Sequence, residues 1–248
     1  MIIIKSPAEI EIMRAAGRVV GQVLQAVSQA VKPGVSTASL DRQAEEMARS
    51  LGAIPAFKGY RGYPYSLCCS LNEQVVHGFP GPAPLKEGDI LSMDFGVILD
   101  GFYGDAATTV AVGSISPQAS ELLRATEASL QAGIAKARPG NHLGDVSSAV
   151  QKVAEGAGFS VVRQFVGHGI GRGLHEEPQV PNFGLPGRGV RLKPGMVLAI
   201  EPMINAGGYE VRILKDGWTA VTVDGKLSAH FEHTVAVTAD GPRILSLP

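Results

Sequence analysis

The chain has 248 residues, with 22 Lys and Arg against 23 Asp and Glu and a formal charge of −1, so it lacks the basic excess of a protein that holds nucleic acid by bulk charge. Hydrophobic residues make up 45% and charged ones 18%, enough apolar material for a core and too much for a disordered chain. No run approaches the roughly 18 apolar residues of a membrane span, Met1-Ile2-Ile3-Ile4-Lys5 is too short for a secretory signal, and the only cysteines, Cys68 and Cys69, are adjacent, so the expectation is a cytoplasmic protein with no membrane partner.

Ser6-Pro7-Ala8-Glu9 reads as a helix start, with serine as cap, proline in the first turn and Glu9 placed to close a capping box. Ile10, Met13, Gly17, Val20, Leu24, Val27 and Val31 follow at steps of three and four, and Lys32-Pro33-Gly34 stops the helix. A second helix is predicted from Thr37 to Leu51, with Leu40, Ala44, Met47 and Leu51 turned inward. Ile90 to Leu99 reads as a strand, Asp100-Gly101 as a two-residue hairpin turn, and Phe102 to Val112 as the return strand.

The plan then recurs. Ser116-Pro117 opens a third helix carrying Leu122, Leu123, Leu130 and Ile134, closed by Arg138-Pro139-Gly140. Val146, Val150 and Val153 mark a fourth, which stops at Gly158. Ser-Pro and Pro-Gly are common punctuation and can recur by chance. The match of Leu85-Lys86-Glu87-Gly88 through Asp94 with Leu192-Lys193-Pro194-Gly195 through Glu201 is harder to dismiss, because each segment ends on an acid. The expectation is a single domain, 1–248, with an internal pseudo-repeat of roughly 6–112 and 116–238. Two such halves would leave a cleft at their junction, where ligand sites favour forming.

The acids inside apolar strands are the informative anomaly. With Asp100-Gly101 as the turn, Leu99 faces Phe102, Asp94 pairs with Ala107 and Asp105 with Gly96. Asp94 and Asp105 then share a face one diagonal step apart, where cross-strand side chains converge. Either that face is wet, or a divalent cation neutralises the pair. Glu201 ends the run Met196 to Ile200, and Glu232 precedes Thr234-Val235-Ala236-Val237 much as Asp105 precedes Thr109-Val110-Ala111-Val112. That second match is imperfect, since Asp105 stands four residues before its threonine and Glu232 two. The parity, and so the strand face, is the same.

Gly167-His168-Gly169-Ile170-Gly171 surrounds one histidine with glycines that permit close backbone approach. His175 follows seven residues later, and His77-x-x-Pro80 resembles His175-x-x-Pro178. Four carboxylates would neutralise two divalent ions. With His168 they form an oxygen-rich set that suits Mn, Fe or Co better than structural zinc. Two ions about 3.5–4 Å apart would hold a water between them as hydroxide near neutral pH.

The ordered set Asp94, Asp105, His168, Glu201 and Glu232, the Gly-His-Gly-Ile-Gly…His segment and the phrases Ile-Glu-Pro and Glu-His-Thr resemble the type I methionine aminopeptidases, within the metallopeptidase family of the pita-bread fold, from about Ile3 to Leu245. The resemblance implies an α+β fold: a curved antiparallel β-sheet with two pseudo-twofold related halves, covered by four helices. It implies that those five residues are metal ligands to two divalent ions (Co, Mn, Fe or Zn) and that the reaction removes the initiator methionine; crowding at a buried site would favour a small second residue. It places His77 and His175 beside the metals as catalytic and substrate-binding groups and sets Tyr60, Tyr63, Cys68 and Trp218 around the methionine side chain; Glu201, an acid within the ligand set, is the candidate for proton transfer from water to the leaving amine. Phe57 stands where relatives often have cysteine, and Leu174 where an aromatic is common. Asn72 and Ser228 match positions near a monovalent-cation site. The partners implied are nascent polypeptide N-termini, methionyl peptides and the ribosome, and the oligomeric state a monomer. A Xaa-Pro aminopeptidase with the same ligands, or a binding protein without activity on this fold, are the rival readings; the second would be expected to have lost ligands.

Overall fold

The computed structural model describes residues 1–248. Helix α1 (Pro7–Ala30) begins where the capping signal lies. The Ser6 hydroxyl accepts the Glu9 N–H at 3.3 Å, and the Glu9 carboxylate accepts the Ser6 N–H at 2.9 Å. Met13, Val20, Val23 and Val27 form its buried stripe. Helix α2 (Thr37–Ser50) is capped by Ser36 and ends one residue before the predicted Leu51. Helix α3 (Pro117–Lys136) is capped by Ser116. In α4 (Leu143–Gly156) the Asp145 carboxylate accepts the His142 N–H at 2.7 Å. No helix is long and apolar enough to cross a membrane.

The main sheet is antiparallel and has nine strands. Its path runs Ile54–Pro55, Ile90–Leu99, Phe102–Ala111, Glu232–Thr238, Val197–Ile200, Gly167–Gly169, Glu176–Val180. Leu67–Leu71 pairs beside Ile90–Leu99, and Gly241–Ile244 beside Glu232–Thr238. The central hairpin has the register that its turn demands. Asp100 (φ 50°) and Gly101 (φ 77°) both adopt positive φ, which pins Leu99 opposite Phe102, Gly96 opposite Asp105 and Asp94 opposite Ala107. Two three-stranded sheets complete the fold, Ser228–His230/Met203–Asn205/Ser160–Val161 and Val211–Ile213/Ala220–Thr222/Gln74–Val76. They meet through Val75, Val76, Val162, Met203 and Ala220.

Strand alternation decides which side carries chemistry. Leu91, Met93, Phe95 and Val97 pack with Val20, Val23 and Val27 of α1 and Leu40 and Ala44 of α2. Leu198, Ile200, Val235 and Val237 pack with Leu130 and Ile134 of α3 and Val146 of α4. Their neighbours in sequence, Asp94, Glu201 and Thr234 among them, must face away from the helices. The result is the curved antiparallel sheet covered by four helices that defines the pita-bread fold.

The seam at the middle of the sheet is unusual. Phe102–Ala111 and Glu232–Thr238 pair at only two positions, Ala107 with Glu232 and Ala106 with His233. On each side a threonine hydroxyl takes over. Thr234 Oγ1 donates to the Asp105 carbonyl (2.7 Å) and accepts the Asp105 N–H (3.1 Å). Thr109 Oγ1 donates to the His230 carbonyl (2.8 Å) and accepts the His230 N–H (2.9 Å). The two clamps are alike, so His230 stands to Thr109 as Asp105 stands to Thr234. In the seam Asp105 therefore occupies beside Thr234 the place that His230 occupies beside Thr109.

Candidate metal centre

Register alone brings the polar groups together. Asp94 and Glu232 both lie opposite Ala107, so the three share a face. His233 lies opposite Ile200, and continuing that register one step sets Glu201 opposite Glu232. His168 and Thr234 both lie opposite Ala199, which puts the imidazole on that same face. The glycines beside His168 are required by close packing. A Cβ at Gly167 would lie 2.3 Å from the Ala199 carbonyl oxygen, and one at Gly169 2.2 Å from that of Glu177.

Asp105, His168 and Glu232 offer ligand atoms within 4.8 Å of one another, all from buried residues, and form a three-ligand metal site. His168 Nε2 is 3.5 Å from Glu201 Oε1 and 3.9 Å from Asp105 Oδ2. The His168 Nδ1–H donates to the Gly169 carbonyl at 2.9 Å, which leaves the Nε2 lone pair free for a cation. Asp94 Oδ1, Asp105 Oδ1 and Glu232 Oε1 are buried without a hydrogen-bond partner. Orphaned carboxylate oxygens on residues lining one cavity are what a divalent ion would satisfy.

The electrostatics agree. Burial pushes the Asp94 carboxyl up to about 7. Burial, followed by the neighbouring carboxylates, holds Asp105, Glu201 and Glu232 well above the ordinary range. No Lys or Arg is paired with any of the four. Burial and then His175 lower His168 to about 3, and the same two causes lower His77 to about 4. These imidazoles are neutral at neutral pH, the form that can coordinate or donate without adding charge.

Every residue expected at the catalytic, metal and substrate positions lines one cavity: Tyr60, Tyr63, Cys68, His77, Asp94, Asp105, His168, His175, Glu201, Trp218 and Glu232. Phe57 and Leu174 line it too. The Tyr63 ring stands edge-on to Trp218 (5.2 Å between centroids), and its hydroxyl donates to the Gly78 carbonyl at 3.0 Å. Cys68 lies directly opposite Asp94 on the neighbouring strand. The Tyr60 hydroxyl is 2.8 Å from His175 Nδ1, and the His77 ring packs edge-on against Phe165 and Trp218. Asn72 and Ser228 lie outside this cavity and meet each other, the Ser228 N–H donating to the Asn72 carbonyl at 2.9 Å.

Two residues escape the sequence reading. Arg61 lines the cavity mouth at φ 49°, with its guanidinium 5.4 Å from the Tyr60 ring centre. His230 is 1% exposed, and its Nε2 lies 3.7 Å from Glu201 Oε2 with no hydrogen-bond partner. The threonine clamps carry the signal for His230. Aligning Thr109 with Thr234, instead of acid with acid, sets His230 where Asp105 stands.

Comparison with known proteins agrees with this geometry. The sequence model of metallopeptidase family M24 matches residues 11–239. A methionine aminopeptidase of Clostridium perfringens is 57% identical over 247 residues, covering 100% of this chain and 99% of that protein. Methionine aminopeptidase 1 of Bacillus subtilis is 53% identical, covering 99% of each. A crystal structure of the methionine aminopeptidase of Thermotoga maritima superposes with a TM-score of 0.98 at 48% identity and covers 100% of both chains. With a family match over nearly the whole sequence and relatives this similar end to end, the chain belongs to metallopeptidase family M24, in its methionine aminopeptidase group.

Proposed function

We propose that this chain is a metal-dependent aminopeptidase that removes the amino-terminal methionine from peptides and newly made proteins. The observation that carries the reading is the convergence of Asp94, Asp105, His168, Glu201 and Glu232, from five strands or strand ends, on a cavity whose other wall is apolar and aromatic. Those five residues would hold two divalent cations, with the buried trio Asp105, His168 and Glu232 at the heart of the set. Bound there, such ions supply Lewis acidity toward the scissile carbonyl and lower the pKa of a water.

The remaining steps belong to side chains. Glu201 takes a proton from the attacking water and returns it to the leaving amine. A Tyr60 O–H donated to His175 Nδ1 leaves the His175 Nε2–H directed at the substrate. His175 and His77 then donate to the oxyanion or hold the peptide, a kind of contact worth about 2.7–4 kcal/mol. Phe57, Tyr63, Cys68, Leu174 and Trp218 form a slot for an unbranched thioether. We read the chain as one catalytic domain whose halves, 6–112 and 116–238, share a plan.

The test is hydrolysis of Met-Ala-Ser, Met-Leu-Ser and Ala-Pro-Ala by metal-stripped protein, with Mn, Fe(II), Co and Zn returned separately. Met-Ala-Ser should be cleaved fastest, and only after metal is returned. Cleavage of Ala-Pro-Ala in preference to Met-Ala-Ser, or equal rates on all three, would overturn the reading.

A further inference from the structure

We infer that His230 is a positioning residue for Glu201: its Nε2–H donates to Glu201 Oε2 and turns Oε1 toward His168 and the metal. This rests on the reading of Glu201 as a ligand and proton carrier. The imidazole is almost wholly buried, and Nε2 has no partner anywhere in the fold. An orphaned buried nitrogen is costly and calls for a reason. The nearest carboxylate oxygen is Glu201 Oε2 at 3.7 Å, on the side of the carboxyl away from Oε1, which lies 3.5 Å from His168 Nε2. The terminal torsion of a glutamate is broad, so a small rotation brings Oε2 to bonding distance at little cost.

The seam supports the assignment independently. Asp94 lies opposite Ala107, with Asp105 one diagonal step along the strand. Glu201 lies opposite Glu232 by the continued register, with His230 the same step along. The two diagonals are thus alike, each fixed by a threonine clamp on its second member. One diagonal carries two acids, the other an acid and an imidazole. A fifth carboxylate at 230 would add charge that two divalent ions could not balance. A neutral donor instead orients the acid already there. Outer partners of this kind hold ligating groups in one orientation.

Three variants test the inference: His230→Leu, which removes the donor, His230→Gln, which keeps one, and His230→Leu in a Glu201→Ala background, which removes the acceptor. Calorimetric titration with Mn and Co, melting of the metal-free proteins, and kcat and KM on Met-Ala-Ser are measured for each. His230→Leu should fold with a metal-free melting temperature near that of the parent. It should bind metal about 10–100-fold more weakly and lose kcat more than it raises KM. His230→Gln should recover most of the metal affinity. In the Glu201→Ala background, His230→Leu should change metal affinity less than about twofold, because its acceptor is gone. Parent-like metal affinity in a folded His230→Leu protein, or a His230→Gln protein as impaired as His230→Leu, would overturn the inference alone. A parent protein that binds no metal and cleaves no methionyl peptide would overturn the functional reading, and the inference with it.

Discussion

At the scale of single residues, the cavity separates groups that hold charge from groups that direct hydrogen bonds. Asp105, His168 and Glu232 are buried with unsatisfied ligand atoms among them. His77 has no carboxylate beside it, and its ring is held edge-on to Phe165 and Trp218. His77→Ala should therefore lower kcat about a hundredfold, the scale of losing one donor at the reacting carbonyl, while metal content by elemental analysis stays that of the parent. Loss of bound metal in that variant would show that His77 is a ligand instead. Most of these residues are legible in sequence because each sits in a locally decisive setting. Asp94 and Asp105 are read through the Asp100-Gly101 turn, and His168 through its glycines. His230 sits in Ser228-Ala229-His230, which has no turn or glycine signature, and its role depends on a strand far off in sequence.

At the scale of elements, the seam between Phe102–Ala111 and Glu232–Thr238 positions the acids. Thr234 supplies through its side chain the two bonds that a continued ladder would have made to Asp105. Thr234→Val should leave the Asp105 N–H and carbonyl unpaired, at about 1–3 kcal/mol for each buried group. Lower thermal stability and weaker metal binding are expected together, and Thr234→Ser, which keeps the hydroxyl, should restore both. A Thr234→Val protein with the parent's melting curve would mean that the seam is held by something other than these bonds. Helices α1 to α4 were legible because their caps, prolines and apolar stripes act within a few residues. The nine-stranded order was not, because pairing Phe102–Ala111 with Glu232–Thr238 is a contact across half the chain, which no short pattern specifies.

At the scale of the whole molecule, the buried charges link fold stability to metal. The Asp94 carboxyl is raised to about 7 and the other three carboxyls well above their ordinary values, chiefly by burial. The metal-free folded chain thus binds protons more tightly at these groups than the unfolded chain does. That contribution is fully present below the ordinary carboxylate range and is lost as pH rises through the folded values. The lowered values of His77, His168, His175, His230 and His233 act the other way, an effect that fades over about one pH unit above 6.5, the ordinary histidine value. Between about pH 7.5 and 8 the carboxyls dominate the slope, so the melting temperature of metal-free protein should fall across that window. Excess Mn should flatten the curve, because cations take the place of the protons. A metal-free melting temperature that rises across the window would contradict the assignment of these carboxyls to one crowded, unneutralised site. The most direct test of the central claim is anomalous diffraction from crystals grown with excess Mn. The expected result is two adjacent peaks contacted by Asp94, Asp105, His168, Glu201 and Glu232. Peaks elsewhere, or these side chains turned away from an empty cavity, would contradict it.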